Sequence, residues 1–123
     1  MIYAIVTNDK KLAPRFSKAD IFTFYNDRQE VIGVYKNPAL AASGCAAKQS
    51  VIDLLHKMNC DIVIVRKIGE KTLARLLNAG FKVEQGNTRH NDKELLENAR
   101  LRKHPLTTPE QGVKSMKSSC GHH

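Results

Sequence analysis

The sequence has no long apolar run. None approaches the roughly 18 residues that a membrane-spanning helix needs, and the first six residues lack the basic segment and the extended apolar core of a secretory signal peptide. These absences argue against a membrane partner. They predict a cytoplasmic protein whose first residues, Met1 to Val6, form the first strand of the fold.

Cysteine is also scarce. The chain has 123 residues and three cysteines, Cys45, Cys60 and Cys120, which cannot all pair with one another. Without an export signal, free thiols or metal ligands are expected rather than a disulfide framework. Cys60 comes just before an apolar strand, and we predict a structural role for it.

Acidic residues are outnumbered by basic ones, and the formal net charge is +8. This excess predicts an anionic partner such as nucleic acid, phosphate or an anionic cofactor. The four Phe and three Tyr fall mostly on predicted strands as core residues, which leaves no stacking platform for nucleic acid. Nucleic acid is therefore disfavoured, although charge alone does not choose among anions.

The hydrophobic pattern predicts eight elements in the order β-β-β-α-β-α-β-α. The strands are predicted at 1–7, 21–25, 31–35, 61–65 and 81–84, and the helices at 44–58, 70–78 and 91–103. A hairpin meander followed by right-handed crossovers gives an α/β, ribonuclease-H-like fold, with a five-stranded mixed sheet in the order 3-2-1-4-5 and about three helices. Residues 1–103 would form the domain, and the turn-rich residues 104–123 a flexible tail ending in Cys and His.

Strands one, three and four of this prediction run the same way, so three loops gather where they end, at 8–20, 36–45 and 66–70. Open α/β sheets bind ligands at that position. Arg15 could clamp an anion there or be a solvated surface arginine. Cys45 stands at a helix start, where a thiolate is favoured, although free cysteines are also commonly buried. His90, on the loop 85–91 beside these, is either a metal ligand or exposed.

The chain ends with Cys120-Gly121-His122-His123, a thiol and two imidazoles within four residues. Such a set suits a soft or borderline metal, but its spacing matches no closed zinc site. Metal contact competes here with two other readings, a disordered terminus and a remnant of a purification tag.

Several short segments occur in a recognisable order. They are Arg15-Phe16-Ser17, Asn37-Pro38-Ala39, Gly44, the strand 61–65, Ile68-Gly69 and Ala79-Gly80-Phe81. This ordered set, over about residues 1–100, resembles the dinitrogenase iron–molybdenum cofactor biosynthesis family, whose members have a ribonuclease-H-like fold.

The resemblance implies a non-catalytic protein that binds or carries an iron–sulfur or iron–molybdenum-type cluster or its precursor. Cofactor donor and acceptor proteins would be its partners. The predicted cofactor-binding residues are Arg15, Asn37, Gly44, Cys45, Arg66 and Gly69, and the predicted metal ligands are Cys45, Cys120 and His122. The family commonly has His-Phe-Gly where this chain has Arg15-Phe16-Ser17, so Cys45 or the tail would have to supply the ligation.

Two alternatives stay open, a binding module for a small anionic ligand and one for nucleic acid, both without metal. A nuclease of the ribonuclease H type is excluded because its chemistry needs converging carboxylates, one of them inside strand one. Strand one has no acidic residue.

Overall fold

The computed structural model describes residues 1–8, 11–41 and 44–113, with the backbone alone at residues 17, 41, 44 and 45. The strands are β1 Tyr3–Asn8, β2 Lys11–Leu12, β3 Ile21–Tyr25, β4 Val31–Lys36, β5 Ile62–Val65, β6 Lys82–Gln85 and β7 Pro105–Leu106. The helices are α1 Gly44–Lys57, α2 Glu70–Asn78 and α3 Asp92–Arg100. Short 3-10 segments span Phe16–Lys18, Pro38–Ala41 and Pro109–Gln111.

The strands form one mixed sheet in the order β4-β3-β1-β5-β6-β7, with β2 paired to β1. β1 is antiparallel to β3 and parallel to β5, and β5 is parallel to β6. The predicted α/β fold, the mixed sheet and the three helices are confirmed, and the five predicted strands occur in the predicted order. The predicted strand number is wrong, because the described residues form seven strands. The ribonuclease-H-like assignment stays a prediction.

Helices cover both faces of the sheet. A Cβ added at Gly33 on β4 would lie 2.9 Å from Met58, which follows α1. Gly33 pairs with Phe24, Phe24 with Ala4, and Ala4 with Val63. Paired residues point to the same face of a sheet, so Val63 lies on the face that α1 covers. Successive residues of a strand point to opposite faces, so Ile64 faces away from α1. A Cβ added at Gly86 would contact both Ile64 and Leu95 of α3, which places α3 on the second face.

Local signals explain where α2 ends and where α3 begins. α2 is followed by Gly80, whose φ of 94° lies in the left-handed region that glycine tolerates. α3 begins after Asn91, whose side chain accepts a hydrogen bond from Glu94 N, and the Glu94 side chain accepts one from Asn91 N. This reciprocal capping box satisfies two backbone donors at the helix start.

The fold continues past residue 103, where the sequence analysis ended the domain. β7 pairs with β6, and Leu106 is buried. Val113 forms an isolated bridge with Gly69. Residues 104–113 are therefore part of the fold, because their hydrogen bonds to β6 and to the start of α2 override their turn-rich composition. Residues 114–123 lie outside the described residues.

Among residues 1–8, 11–41 and 44–113, the structure contains no helix with the length and apolar character needed to cross a membrane.

Candidate functional site

The parallel strands β1, β4, β5 and β6 end at the same edge of the sheet, which we call the rim. Its α1 side consists of residues 12–20, 37–41 and 67–70, and its α3 side consists of residues 85–91 with Arg66 and His104. Phe16 N donates to Lys67 O at 2.8 Å, and Asn37 N donates to Asp20 O at 2.8 Å. The predicted gathering of three loops at this edge is therefore present, held by backbone hydrogen bonds.

Asn37 fixes two of these loops to each other. Its side chain is 3% exposed. Its Nδ2 donates to Ala19 O at 2.8 Å, and its Oδ1 accepts from Ala39 N at 2.9 Å. The sequence analysis predicted a cofactor-binding residue here. Both polar atoms of the amide already have backbone partners, so Asn37 stabilises the conformation of the rim loops.

Arg15 is exposed at the start of the 3-10 segment Phe16–Lys18. The next side chain, Phe16, is buried against Phe22 with their ring centroids 5.7 Å apart in an edge-to-face arrangement. This anchor holds the loop while leaving the guanidinium at the surface. Arg66, at the end of β5, is half-buried and belongs to the neighbouring loop.

The rim is rich in basic side chains. The exposed or half-buried bases on its loops and strand ends are Lys11, Arg15, Lys18, Lys36, Arg66, Lys67 and Arg89. Among the described residues, the acidic side chains there are Asp20, Glu70 and Asp92. An anion approaching this edge of the sheet therefore meets a positive potential.

Gly69 precedes α2, and nothing lies within 4 Å of a Cβ built there. Part of the helix start is nonetheless occupied by the chain itself. Glu70 N donates to Val113 O at 2.9 Å, and Val113 N donates to Ile68 O at 2.8 Å. Gly112 permits this approach, because a Cβ there would lie 2.7 Å from Glu70 Cα. Val113, the last described residue, thus lies at the rim, seven positions before Cys120.

The structure describes the three cysteines to different extents. Cys45 is in the first turn of α1, which begins at Gly44 as predicted, and only its backbone is described. Cys60 is buried, its Sγ lies 3.3 Å from Ile62 O, and burial together with the nearby Asp61 raises the pKa of the thiol to about 12. A thiol held protonated is a poor nucleophile and metal ligand. Cys120 and His122 lie outside the described residues.

A cavity of about 200 Å³ opens on the α3 side of the rim. Its lining residues are Arg66, Gln85, Gly86, Asn87, His90 and His104. Gln85 N donates to His104 O at 2.9 Å, so β6 itself brings His104 to the rim. The sequence analysis considered His90 but missed His104, since it assigned that residue to a flexible tail. No sequence signal marked it, because β7 has only two residues and exists through its pairing with β6.

Glu84 lies behind this cavity and is 1% exposed. Burial raises the pKa of its carboxyl group, while the hydrogen bond from His104 N and the Arg102 guanidinium 3.6 Å away oppose that shift. Arg102 has a φ of 53°, in the left-handed region. A non-glycine residue in that region costs about 1 kcal/mol or more, so its contacts with Val83 O and Glu84 must hold it there.

No cluster of three or more His, Cys, Asp or Glu side chains that could hold a metal ion occurs within residues 1–8, 11–41 and 44–113. A set of three or more such ligands would therefore have to draw on side chains that the structure does not describe, such as those of Cys45 and Cys120. The described part of the rim offers charge and hydrogen-bond donors.

Comparison with known proteins gives one family. The family described as dinitrogenase iron–molybdenum cofactor matches residues 1–100. No match is found among curated proteins.

Solved structures with a similar fold have low sequence identity to this chain. The apo form of the orange protein from Desulfovibrio gigas is 18% identical with a TM-score of 0.70, and the match covers 85% of this chain and 91% of that one. A putative dinitrogenase from Methanocaldococcus jannaschii is 17% identical with a TM-score of 0.62, covering 89% and 97%. A putative NifB protein from Thermotoga is 21% identical with a TM-score of 0.62, covering 87% and 94%. At these identities the likeness establishes a shared fold.

Proposed function

The chain belongs to the dinitrogenase iron–molybdenum cofactor family, and from that premise we propose that it binds or carries an anionic iron–sulfur-based metallocofactor, or a precursor of one, without performing chemistry on it. The cargo would be an iron–sulfur or iron–molybdenum-type cluster, received from a donor protein and passed to an acceptor protein in the cytoplasm.

The observation that carries the proposal is the cationic rim. Clusters of this kind are anionic and are tuned by hydrogen bonds to their sulfur atoms. Arg15 is exposed on a loop anchored by Phe16 and tied to the Arg66 loop through Lys67 O. A pre-ordered basic surface binds an anion without first having to fix its own loops. The fold of the orange protein, solved in an apo form, supports a scaffold whose bound group can be absent.

The proposed metal ligands are Cys45, Cys120 and His122. Cys45 lies at the N-terminus of α1, where unpaired N–H groups and the helix dipole favour a thiolate. Cys120 follows Val113 by seven residues. Seven residues can span at most about 25 Å, so the Cys120 thiol is within reach of the rim. Arg15, in place of the family's histidine, would contribute charge and hydrogen bonds instead of ligation.

Gly44, Asn37 and Gly69 would shape the site. Asn37 ties the loops that carry Arg15 and Cys45, and Gly69 leaves open space beside the start of α2. β1 has no acidic residue. Two-metal hydrolysis would require a carboxylate inside this strand, so a carrier role fits the composition of β1 better than hydrolysis does.

Anaerobic reconstitution with iron and sulfide tests the proposal. Untagged protein should develop cluster absorption, and its iron content should rise in proportion to that absorption. Cys45→Ala should lower the absorption strongly, and Cys45→Ala with Cys120→Ala should abolish it. The matched control is Cys60→Ala, which removes a thiol that is buried away from the rim and should leave the absorption unchanged. Absence of cluster absorption in the wild type would contradict the proposed function. Absorption that survives in the double variant would contradict the proposed ligands.

Charge can be tested separately from ligation. Arg15→Gln with Arg66→Gln should weaken cluster retention at moderate salt, because each variant removes a cation from the rim. Lys82→Gln is the control, since Lys82 is exposed at the start of β6, the opposite end of the strand. Equal cluster retention in all variants would show that Arg15 and Arg66 do not contribute to binding through their charge.

The same cationic rim favours one alternative, a module that binds a small anion or nucleic acid without metal. Binding to a duplex measured across a salt series would identify nucleic acid by a steep salt slope. Absence of duplex binding at low salt would remove that partner. Anion binding in protein that takes up no iron would favour the small-ligand alternative.

A further inference from the structure

The cavity on the α3 side of the rim carries an inference that does not depend on a cluster or on any cysteine. We propose that this cavity binds a small tetrahedral oxyanion, of the sulfate or phosphate class, between Arg66, His90 and His104. Its volume of about 200 Å³ admits such an ion with a few waters. The lining has one guanidinium, two imidazoles and two amide side chains, and no carboxylate.

His90 is the residue whose own bonding is incomplete. Its Nδ1 is shielded from solvent and has no hydrogen-bond partner among the described residues. Shielded polar atoms in folded proteins are almost always paired. A protonated imidazole has two N–H donors and needs two acceptors, and an oxyanion in the cavity can serve as one of them. The backbone around His90 is fixed, since His90 N donates to Asn87 O at 3.0 Å.

One amide of the lining is oriented as a donor, and the other holds the backbone of Arg66. Asn87 Oδ1 accepts from Arg89 N at 2.9 Å, which turns the amide oxygen toward the backbone and leaves the NH₂ group to donate. Gln85 Nε2 donates to Arg66 O at 3.2 Å and so holds the backbone at the base of the guanidinium. Arg66 and Asn87 therefore offer hydrogen-bond donors to an anion in the cavity.

Charged groups lie near the two histidines on the elements packed against them. The cations are Arg66 after β5, Lys11 on β2, Arg89 before α3, Lys93 on α3 and Lys103 before β7. The anions are Asp92, Glu94 and Glu97 on α3 and Glu84 on β6.

Each of these four carboxylates already has a partner. Asp92 accepts from Tyr25, Glu94 from Asn91 N, Glu97 from Arg100 and Glu84 from His104 N. The five cations outnumber the four carboxylates, and the charge of Glu97 is in addition paired with Arg100.

The cavity floor is set by glycine. Gly86 N donates to Val65 O at 2.6 Å, and a Cβ at Gly86 would lie 2.7 Å from Leu95 and 3.1 Å from Ile64. Any other residue would require the Leu95 side chain to shift. The close approach keeps β6, α3 and the two histidines in one arrangement, so the donors do not have to be ordered when the anion binds.

An NMR titration of the full chain with sodium sulfate tests the proposal, with sodium chloride holding the ionic strength constant. We expect saturable amide shifts at Gly86, Asn87, His90 and His104. Arg66→Gln, and His90→Gln with His104→Gln, should each weaken binding by about tenfold.

His56→Gln is the matched control, because His56 is exposed on α1 and lies beside Phe81, at the opposite end of β6. It should bind sulfate as the wild type does. A parallel titration with Zn²⁺ covers the competing chemistry, since metal binding needs neutral imidazoles and tightens toward pH 8. Zinc binding that is saturable at these residues, without saturable sulfate binding, would overturn the proposal.

Two further results would also overturn it, namely shifts that rise linearly with sulfate and shifts that are unaffected in Arg66→Gln. Arg66→Gln serves as the second variant if the double histidine variant does not fold, since Arg66 is half-buried at a strand end. No iron or sulfide is used, so failure here leaves the reconstitution result intact and can be told apart from it.

Discussion

On the α1 side of the rim the loops are joined to one another by hydrogen bonds, whereas on the α3 side several shielded polar atoms have no hydrogen-bond partner among the described residues. Asn37 represents the first side, with both polar atoms of its amide bonded to backbone. His90 Nδ1 represents the second, and behind it Glu84 Oε1 and Arg102 Nη1 lie 3.6 Å apart as an ion pair without a hydrogen bond.

The comparison separates residues that build a site from residues that can bind something. A side chain whose hydrogen bonds are used within the fold contributes shape, and its loss is felt as instability. A shielded polar group without a partner raises the free energy of the fold, and a ligand that pairs with it can lower that free energy. The α1 side should therefore respond to mutation mainly in stability, and the α3 side mainly in ligand binding and in pH dependence.

The largest effect is expected from Asn37→Ala. The change removes two hydrogen bonds and leaves Ala19 O without its partner in a buried environment. We expect the free energy of unfolding to fall by about 2–4 kcal/mol, measured by urea denaturation. Asn78→Ala, at the exposed end of α2, should change it by less than about 0.5 kcal/mol. Equal effects of the two variants would show that the buried amide does not hold the rim together.

A pair of glycine variants tests the attachment of residues 109–113. Gly112→Ala places a Cβ 2.7 Å from Glu70 Cα and 2.8 Å from Glu70 N, both backbone atoms that cannot move aside cheaply. We expect a loss of about 1–3 kcal/mol and faster hydrogen exchange at Glu70 N and Val113 N. Gly69→Ala is the control, because its φ is −66° and nothing lies within 4 Å of the added Cβ. It should be neutral or slightly stabilising. Protected exchange in Gly112→Ala would contradict the described packing.

Tyr25→Phe probes how firmly α3 is tied to the sheet. The Tyr25 hydroxyl donates to Asp92 Oδ2 at 2.8 Å, which joins β3 to the first turn of α3. Burial, with Asp92 beside it, raises the pKa of Tyr25 above its usual range. Loss of this bond should lower the free energy of unfolding by about 1 kcal/mol. Tyr35→Phe, which keeps the ring packed on Phe24, should change it by less than about 0.5 kcal/mol. A smaller loss in Tyr25→Phe than in Tyr35→Phe would count against the tie.

Much of the fold could be predicted because its elements carry long local signals. The bounds of α2 followed from the leucines on one face and from Gly80, and β5 followed from four consecutive apolar residues. The two-residue strands β2 and β7 were missed. Two residues have no periodicity, and β7 exists because Pro105 and Leu106 pair with β6, a contact that sequence pattern does not encode.

The candidate site was predicted less completely, for a similar reason. Strand direction alone brought the loops of Arg15 and Arg66 to one edge of the sheet. The structural role of Asn37 depends on Ala19, eighteen positions earlier, so its type alone could not distinguish a rim-building amide from a ligand-binding one. His104 was missed because its place at the rim depends on β7. The roles of Cys45, Cys120 and His122 stay predictions.

The smallest expected effect is the pH dependence contributed by Glu84. Burial raises the pKa of its carboxyl group above the ordinary value near 4.5. Between these two values the folded protein binds more protons than the unfolded chain, so stability falls as pH rises. The contribution of Glu84 is thus fully present below its unfolded pKa and is lost as pH rises through its folded pKa.

Glu84→Gln keeps an oxygen that can accept from His104 N and removes the titration. The difference in free energy of unfolding between wild type and variant should therefore change with pH from the acid side of 4.5 upward, always to the disadvantage of the wild type. Urea denaturation at a series of pH values measures it. Glu97→Gln is the control of opposite sign, because the hydrogen bond from Arg100 lowers the pKa of Glu97, and its contribution is lost as pH falls. Parallel pH curves for wild type and Glu84→Gln would mean that the carboxyl group is solvated, and the contrast between the two sides of the rim would then rest on His90 alone.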